Sequence, residues 1–338
     1  MAVTIKDVAA AAGVSPSTVS RICNDNPSIS KETRDRVKII MAQLGYEYGT
    51  PAADPIKIAP RMVAVVMPPE PRESYGNPFF MEAIRGICEF CNPHHIATTV
   101  ITGSTEAEIL HSVKAVSAQV DGYIMLYAKQ DDAVVEYLCE NGLLYVVIGT
   151  PLQMRDQTIC VDNDNLLSAR EATDYLYNLG HRRIGFLSKD ISYYFSQERK
   201  AGYQLSMLQH DLPLYPEYQV ELSDILVEGT EKLTKLMSLP NRPTAVLVAD
   251  DILALALVQV CIFMGLSIPD DVSIISYNNS IFTHLSSPML TCLDVNSLQL
   301  GYEAASQVLN HVANPNLMAT RIIVPHRIVE RDTCKMLE

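Results

Sequence analysis

The sequence predicts an α/β protein: a two-lobed body of parallel sheets with helices on both faces, preceded by a small all-α head. Three observations carry this. From Met62 onward, short apolar runs alternate with amphipathic stretches, the pattern of strand–helix units in parallel sheets. A chain of 338 residues predicts about two domains at roughly 150 residues each, and the 277 residues after position 61 suit two lobes with a cleft between them. The opening residues hold three short helical patterns with a glycine between the first two.

The head builds in order. Thr4 can cap a first helix, with Asp7 at its third position and Val8, Ala9 and Ala12 on its apolar face. Gly13 supplies the turn and Val14 fills the angle. Ser15 caps a second helix that starts with Pro16, where a missing N–H costs nothing, and runs to about Ile22 with Val19 inward. Asn24 to Pro27 read as a loop. Ser30 caps a third helix carrying Val37, Ile40, Met41 and Leu44 at helical spacing, closed by Gly45. This is helix-turn-helix spacing, in which the start of the second helix enters the major groove of DNA. Ser17 and Arg21 share one face of that helix and could reach base edges, with Pro16 in apolar contact; Arg21 matches the two acceptors of guanine. Thr4, Ser15, Thr18 and Ser20 could hold phosphates. The alternative is a plain three-helix cap with a solvated Arg21.

Charge agrees with this division. The chain carries −13 overall, which excludes a uniformly basic nucleic-acid coat. Residues 1–61 hold eight Lys and Arg against six acids, a net of +2, so the rest carries −15. The body would repel DNA phosphates and leave contact to the head.

Between Tyr46 and Arg61, Pro51, Pro55 and Pro60 with Gly49 predict a linker in which a long regular helix is disfavoured. The expected division is therefore 1–48 head, 49–61 linker and 62–338 body. In the body, strands are expected at 62–67, 96–101, 122–127, 143–148, 184–187, 244–249 and 272–277. Helices are expected at 79–90, 106–119, 133–140, 166–179, 196–209, 228–237, 252–264 and 298–312, with Gly180 and Gly265 as helix stops. One lobe should take about 62–160 plus 292–325, the other about 161–291 plus the C-terminal tail.

Ligands of open α/β sheets bind beyond the carboxyl ends of the strands. Asp162-Asn163-Asp164-Asn165, Asp250-Asp251 and Asn278-Asn279 are expected there, with Asp162, Asp250 and Asn278 as the site candidates, offering the acceptors and donors that sugar hydroxyls need. Phe79, Phe80 and Tyr127 could supply flat apolar faces. Each polar residue alone reads equally as a helix cap or turn residue, Asp250 above all.

Apolar residues make up 48% and charged residues 19%, enough for a sizeable core. No apolar run reaches the roughly 18 residues of a membrane span, since the longest, at 253–266, is broken by Gln259. Lys6 and Asp7 stand where a secretory signal would be apolar, so a soluble, cytoplasmic protein without a membrane partner is expected. The eight cysteines show no framework spacing and read as core hydrophobes of a reducing compartment. Cys88 and Cys91 with His94 and His95 have the donors for zinc, but Pro93 ends the helix before the histidines. No metal and no cofactor are expected.

Val3-Thr4-Ile5-Lys6-Asp7-Val8-Ala9, Ala12-Gly13-Val14-Ser15-Pro16-Ser17-Thr18-Val19-Ser20-Arg21, Ser30-Lys31-Glu32-Thr33-Arg34-Asp35-Arg36-Val37 and Leu44-Gly45-Tyr46 closely resemble the LacI/GalR family of bacterial transcription regulators. Asn77-Pro78-Phe79-Phe80, Val120-Asp121-Gly122, Gly180-His181-Arg182-Arg183-Ile184, Arg199-Lys200-Ala201-Gly202-Tyr203 and Val329-Glu330-Arg331 extend the resemblance through the body. It implies a periplasmic-binding-protein-like body, binding to operator DNA, and a small-molecule effector. It also implies effector contacts at Arg199, Phe79 and Asp250, and more loosely at Asp162. The linker departs from the family: Tyr48-Gly49 replaces the usual Pro-Asn pair, and Pro55 falls where relatives place an intercalating leucine. Asn278 stands where many relatives carry an aspartate.

Leu126-Tyr127-Ala128, Val161-Asp162-Asn163-Asp164-Asn165 and Asp294-Val295-Asn296-Ser297-Leu298 are similar to the branch that represses maltose and maltodextrin operons, which implies a sugar effector. A purine or another sugar is the alternative. No leucine heptads follow Arg331, so a homodimer without a coiled coil is expected, matched to a palindromic operator. A solute-binding receptor for transport is the competing reading of the body. An enzyme is disfavoured, because the sequence holds no Gly-rich phosphate loop, nucleophile elbow or metal-ligand run.

Overall fold

The computed structural model describes residues 5–23, 29–44, 46, 62–69, 76–151, 156–189, 193–222 and 224–337. The chain divides into two compact units, 1–57 and 58–338. The expected linker at 49–61 lies outside the described residues.

Among the described residues the head holds three helices, α1 (Ile5–Ala12), α2 (Pro16–Cys23) and α3 (Lys31–Gln43). Ser15 caps α2 as expected: its Oγ accepts from the Thr18 amide at 3.2 Å and lies 2.9 Å from the Thr18 hydroxyl. Ser30 does the same for α3. Gly13 takes φ +65°, the left-handed conformation that lets the chain reverse between α1 and α2. Val8, Ala9, Ala12, Val19, Ile22, Val37 and Met41 form one small core. Thr4 and the side chains of Ser17, Ser20 and Arg21, all expected DNA contacts, lie outside the described residues.

Among the described residues the body contains two six-stranded sheets. The first lobe runs through β1 (Met62–Val66), α4 (Pro78–Cys91), β2 (Ala97–Ile101), α5 (Glu106–Val116), β3 (Gly122–Met125), α6 (Ala133–Glu140), β4 (Tyr145–Ile148) and β5 (Ile159–Asp162). The second runs through α7 (Asn165–Asn178), β6 (Ile184–Lys189), α8 (Tyr194–Gln209), β7 (Gln219–Leu222), α9 (Ile225–Met237), β8 (Ala245–Val248), α10 (Asp251–Phe263), β9 (Ser273–Tyr277), α11 (Ile281–Leu285) and β10 (Thr291–Asp294). The chain then returns through α12 (Ser297–Ala313) and β11 (Arg321–Ile323) to the first sheet, and ends with β12 (Arg327–Val329) in the second. Strand orders are β11-β5-β4-β3-β1-β2 and β12-β10-β9-β8-β6-β7, parallel except where β12 runs against β10.

Sheet pairing corrects the expected lobe boundary. Thr291–Asp294 pairs with β9 and β12 in the second sheet, so the chain re-enters the first lobe after Asp294, not at residue 292. Four of the twelve strands escaped sequence reading because they are short or lie at edges: Gln219–Leu222, Thr291–Asp294, Arg321–Ile323 and Arg327–Val329. Ile159–Asp162, buried on both faces, was another.

Each sheet is sandwiched between two apolar layers. In the first lobe Val63, Val65, Ile124, Val146, Ile148 and Val161 face α4 and α12, while Ala64, Val66, Tyr123, Met125 and Val147 face α5 and α6. The alternation along each strand sends its residues to both layers, as a doubly covered sheet requires. Helices α4 and α12 meet at their glycines. A methyl on Gly86 would overlap the Leu298 carbonyl oxygen, and one on Gly301 would overlap the Ala83 carbonyl oxygen. In the first lobe, Cys91 is buried at the end of α4; His94 stacks on Phe90 and its Nδ1 lies 2.8 Å from the Phe90 carbonyl oxygen. Among the described residues no helix is long and apolar enough to cross a membrane.

Candidate functional site

In both lobes the parallel strands point their carboxyl ends toward the cleft between them, where the residue following each strand is released from sheet pairing and free to face a ligand. Leu126, Tyr127 and Ala128 follow β3; Gly149 and Thr150 follow β4; Asp162 ends β5; Ala249 and Asp250 follow β8; Asn278 follows β9. All of these except Ala249 line one cavity, together with Phe79 and Phe80 from the first turn of α4 and Arg199 from α8. The space free of protein atoms is about 850 Å³, open solvent at the mouth included. All seven residues expected at the site, Phe79, Phe80, Tyr127, Asp162, Arg199, Asp250 and Asn278, therefore meet at one place.

Arg199 sits at the centre of a polar chain. It is 6% exposed, its Nε donates to Asn165 Oδ1 at 2.9 Å, and one terminal nitrogen donates to the Ala249 carbonyl at 2.7 Å. Its guanidinium lies 3.8 Å from the centre of the Tyr277 ring and 5.0 Å from that of Phe195. Burial pushes the guanidinium pKa down, opposed by Tyr277, Asp162 and Asp250. Asn165 passes the chain on, its Nδ2 donating to Asp162 Oδ1 at 3.1 Å. Asp162 also accepts from the Thr150 hydroxyl at 2.7 Å and from the Asn163 amide at 2.8 Å. Burial raises the Asp162 pKa, while the Thr150 and Asn163 donors and the Arg199 charge draw it back.

Asp250 has two jobs. Its Oδ1 caps α10 by accepting from the Ile252 amide at 2.8 Å and the Leu253 amide at 3.4 Å, as its capping reading implied. Its Oδ2 accepts from Asn77 Nδ2 at 2.9 Å, joining the two lobes. Asn77 in turn caps α4 through Phe79. A second tie between lobes is a lone β-bridge between Lys129 and Tyr193. Asn278 and Asn279 both take positive φ, 82° and 53°, conformations that asparagine tolerates better than most residues. Arg331 holds that turn, donating to Asn279 Oδ1 at 2.6 Å and to the Leu290 carbonyl at 2.7 Å.

Several lining residues carried no sequence signal of their own. Thr150, Lys189, Tyr193 and Phe195 are among them, whereas Asn163 and Asn165 were expected at a strand end and Asn77 opens one of the family-like motifs. Their role depends on which strand ends converge across the cleft. The Asp-Asn-Asp-Asn run at 162–165 was the available clue, since four adjacent polar residues after a buried strand exceed what one helix cap uses. The resulting cavity combines aromatic faces with two carboxylates, amides, the Arg199 guanidinium and the Lys189 ammonium, a lining suited to a neutral polyhydroxylated ligand. Asp162 accepts from a hydroxyl and two amides, Asp250 from a helix start and Asn77, and Arg199 donates to Asn165 and the Ala249 carbonyl.

Residues 4–47 match the bacterial regulatory proteins of the lacI family, and residues 173–334 match the periplasmic binding protein-like domain. The HTH-type transcriptional regulator MalR of Staphylococcus xylosus is 30% identical over 338 residues, covering 99% of each chain. A CelR–cellobiose complex superposes with a TM-score of 0.75 at 25% identity, covering 98% of this chain and 100% of the other. A Staphylococcus aureus protein named as a probable maltose operon transcriptional repressor, MalR, gives a TM-score of 0.73 at 25% identity over 81% of this chain and 97% of its own. Sequence, head and two-lobed body agree: the chain belongs to the LacI family, as a DNA-binding transcription regulator and not an enzyme.

Proposed function

We propose that this protein is a cytoplasmic, homodimeric repressor of a maltose or maltodextrin utilisation operon, released from a palindromic operator by a small sugar bound between the lobes. The observation that carries the sugar reading is the cavity itself. Phe79, Phe80 and Tyr127 offer ring faces for a pyranose, and Asp162, Arg199, Asp250 and Asn278 offer acceptors and donors for its hydroxyls. The structural relatives named for cellobiose and for a maltose operon support a disaccharide. In the head, Arg21 and Ser17 read base edges with Pro16 in apolar contact, while Thr4, Ser15, Thr18 and Ser20 hold phosphates. An apolar set on the second lobe supports self-association: Ile262, Phe263, Ile281, Leu285 and Met289 are all exposed, Phe263 by 86%.

The test is capture of fragments of the source genome by the full chain at fixed salt, with and without maltose. Selective retention of palindrome-bearing fragments and their release by maltose is the expected result. Retention indifferent to maltose removes that sugar and sends the search to other sugars and purines. Absence of selective retention refutes the reading as a repressor of a palindromic operator.

A further inference from the structure

Three connectors join the lobes: the segment after β5, the segment between β10 and α12, and the segment between β11 and β12. One side chain touches all three. Asn163, in the first connector, is 3% exposed, and its Nδ2 donates to the Val295 carbonyl in the second at 3.0 Å and to the Val324 carbonyl in the third at 2.8 Å. The Val324 amide returns a bond to the Asp162 carbonyl at 2.8 Å. The second connector itself turns on Asn296, whose φ is 51°.

We propose that Asn163 is a positioning residue that pins the three connectors into one hinge and so holds the lobes in contact. Independent connectors could each bend separately; three sharing one donor group must turn together. The chemistry selects asparagine. A primary amide supplies two N–H donors from one nitrogen, enough for the two carbonyls of the buried residues Val295 and Val324. Aspartate has the same shape but only acceptors, which would face two carbonyl oxygens. The pin also meets the cleft. Asp162 Oδ1 accepts from both the Asn163 amide and Asn165 Nδ2, and Asn165 Oδ1 accepts from Arg199. A ligand that re-ties Asp162 acts one hydrogen bond away from Asn163, and one that re-ties Arg199 acts three away, through Asn165 and Asp162. This regulatory consequence rests on the cleft being the effector site; the pin does not.

Hydrogen–deuterium exchange on the full-length, ligand-free protein separates the two. The informative amides are distant from the pin, at 128–131 and 193–195, where Lys129 and Tyr193 bridge the lobes. In Asn163→Asp, exchange there should accelerate by about ten- to a hundredfold, the worth of two lost hydrogen bonds, while β3 and β8 stay protected. Asn163→Ser, a milder change without the added charge, should shift the same amides in the same direction. Acceleration confined to 162–165, 294–297 and 323–326 marks a merely local role and overturns the proposal. So does unchanged exchange at the bridge, or acceleration throughout both sheets in both variants, which would make Asn163 a determinant of folding. Maltose titration of the same variants reads the cleft separately.

Discussion

Replacing Arg199 by methionine keeps most of the side chain's volume and removes its charge and donors. The loss includes two hydrogen bonds from a charged donor, to Asn165 and to the Ala249 carbonyl, at about 1.5–3 kcal/mol each. It also includes the stack on Tyr277, worth about 1–2 kcal/mol at a desolvated site. Against this, methionine need not bury a charge, a penalty of several kcal/mol that offsets much of the gross loss. A net cost of about 2–4 kcal/mol follows, or a Tm lower by about 4–12 °C for a domain of this size. The Asp162 pKa should rise further, because one of the charges holding it down is gone. Calorimetry reports the stability, and titration of maltose with and without operator DNA reports the site. Operator affinity without sugar should stay within about threefold of the parent, since the head keeps its own core, while the response to sugar disappears. A variant with unchanged Tm and an intact sugar response would refute both the network and the site.

Gly301→Ala should destabilise the first lobe by about 2–3 kcal/mol, because the added methyl overlaps the backbone oxygen of Ala83 and the helices must part; urea midpoints measure it, and an unchanged midpoint contradicts the close approach. Asp251 is fully buried beside Asp250, and burial first, then that neighbouring charge, raises its pKa to about 7. An unfolded aspartate titrates near about 3.9, so between there and about 7 the folded chain binds the extra proton and stability falls as pH rises. Asp251→Asn removes this contribution and should gain stability relative to the parent as pH rises from about 4 to about 7; parallel urea midpoints would exclude it. Arg21→Ala should weaken specific operator binding by about ten- to a hundredfold without changing the Tm of the body, measured by fluorescence anisotropy at fixed salt. Unchanged affinity would remove Arg21 from base readout.

The long elements were legible because their periodicity is strong. All eight expected body helices and seven expected strands appear, and the caps at Ser15, Ser30 and Asp250 sit where their side-chain chemistry put them. The short edge strands were not, since Arg321–Ile323 and Arg327–Val329 have only three residues and no buried face to alternate. The error in the lobe boundary has the same origin: the chain crosses between sheets three times, and an isolated strand such as Thr291–Asp294 does not announce which sheet it joins. At the cleft, Phe79, Arg199 and Asp250 were accessible through family resemblance, and Tyr127 and Asn278 through their places at strand ends. Asn163 was expected at the same strand end as Asp162, but its bonds to the other connectors were not legible, because they fall on carbonyls of residues 132 and 161 positions away.

The central claim is that ligand in the cleft and DNA on the head favour different states of one molecule, and linkage makes that measurable in a single titration. Maltose affinity of the full chain is measured by calorimetry with the operator absent and with it saturating. The account predicts weaker maltose binding on the operator complex, by the same factor by which saturating maltose weakens operator binding. Equal maltose affinity in the two titrations would contradict it, since a sugar that binds both states alike cannot release the DNA.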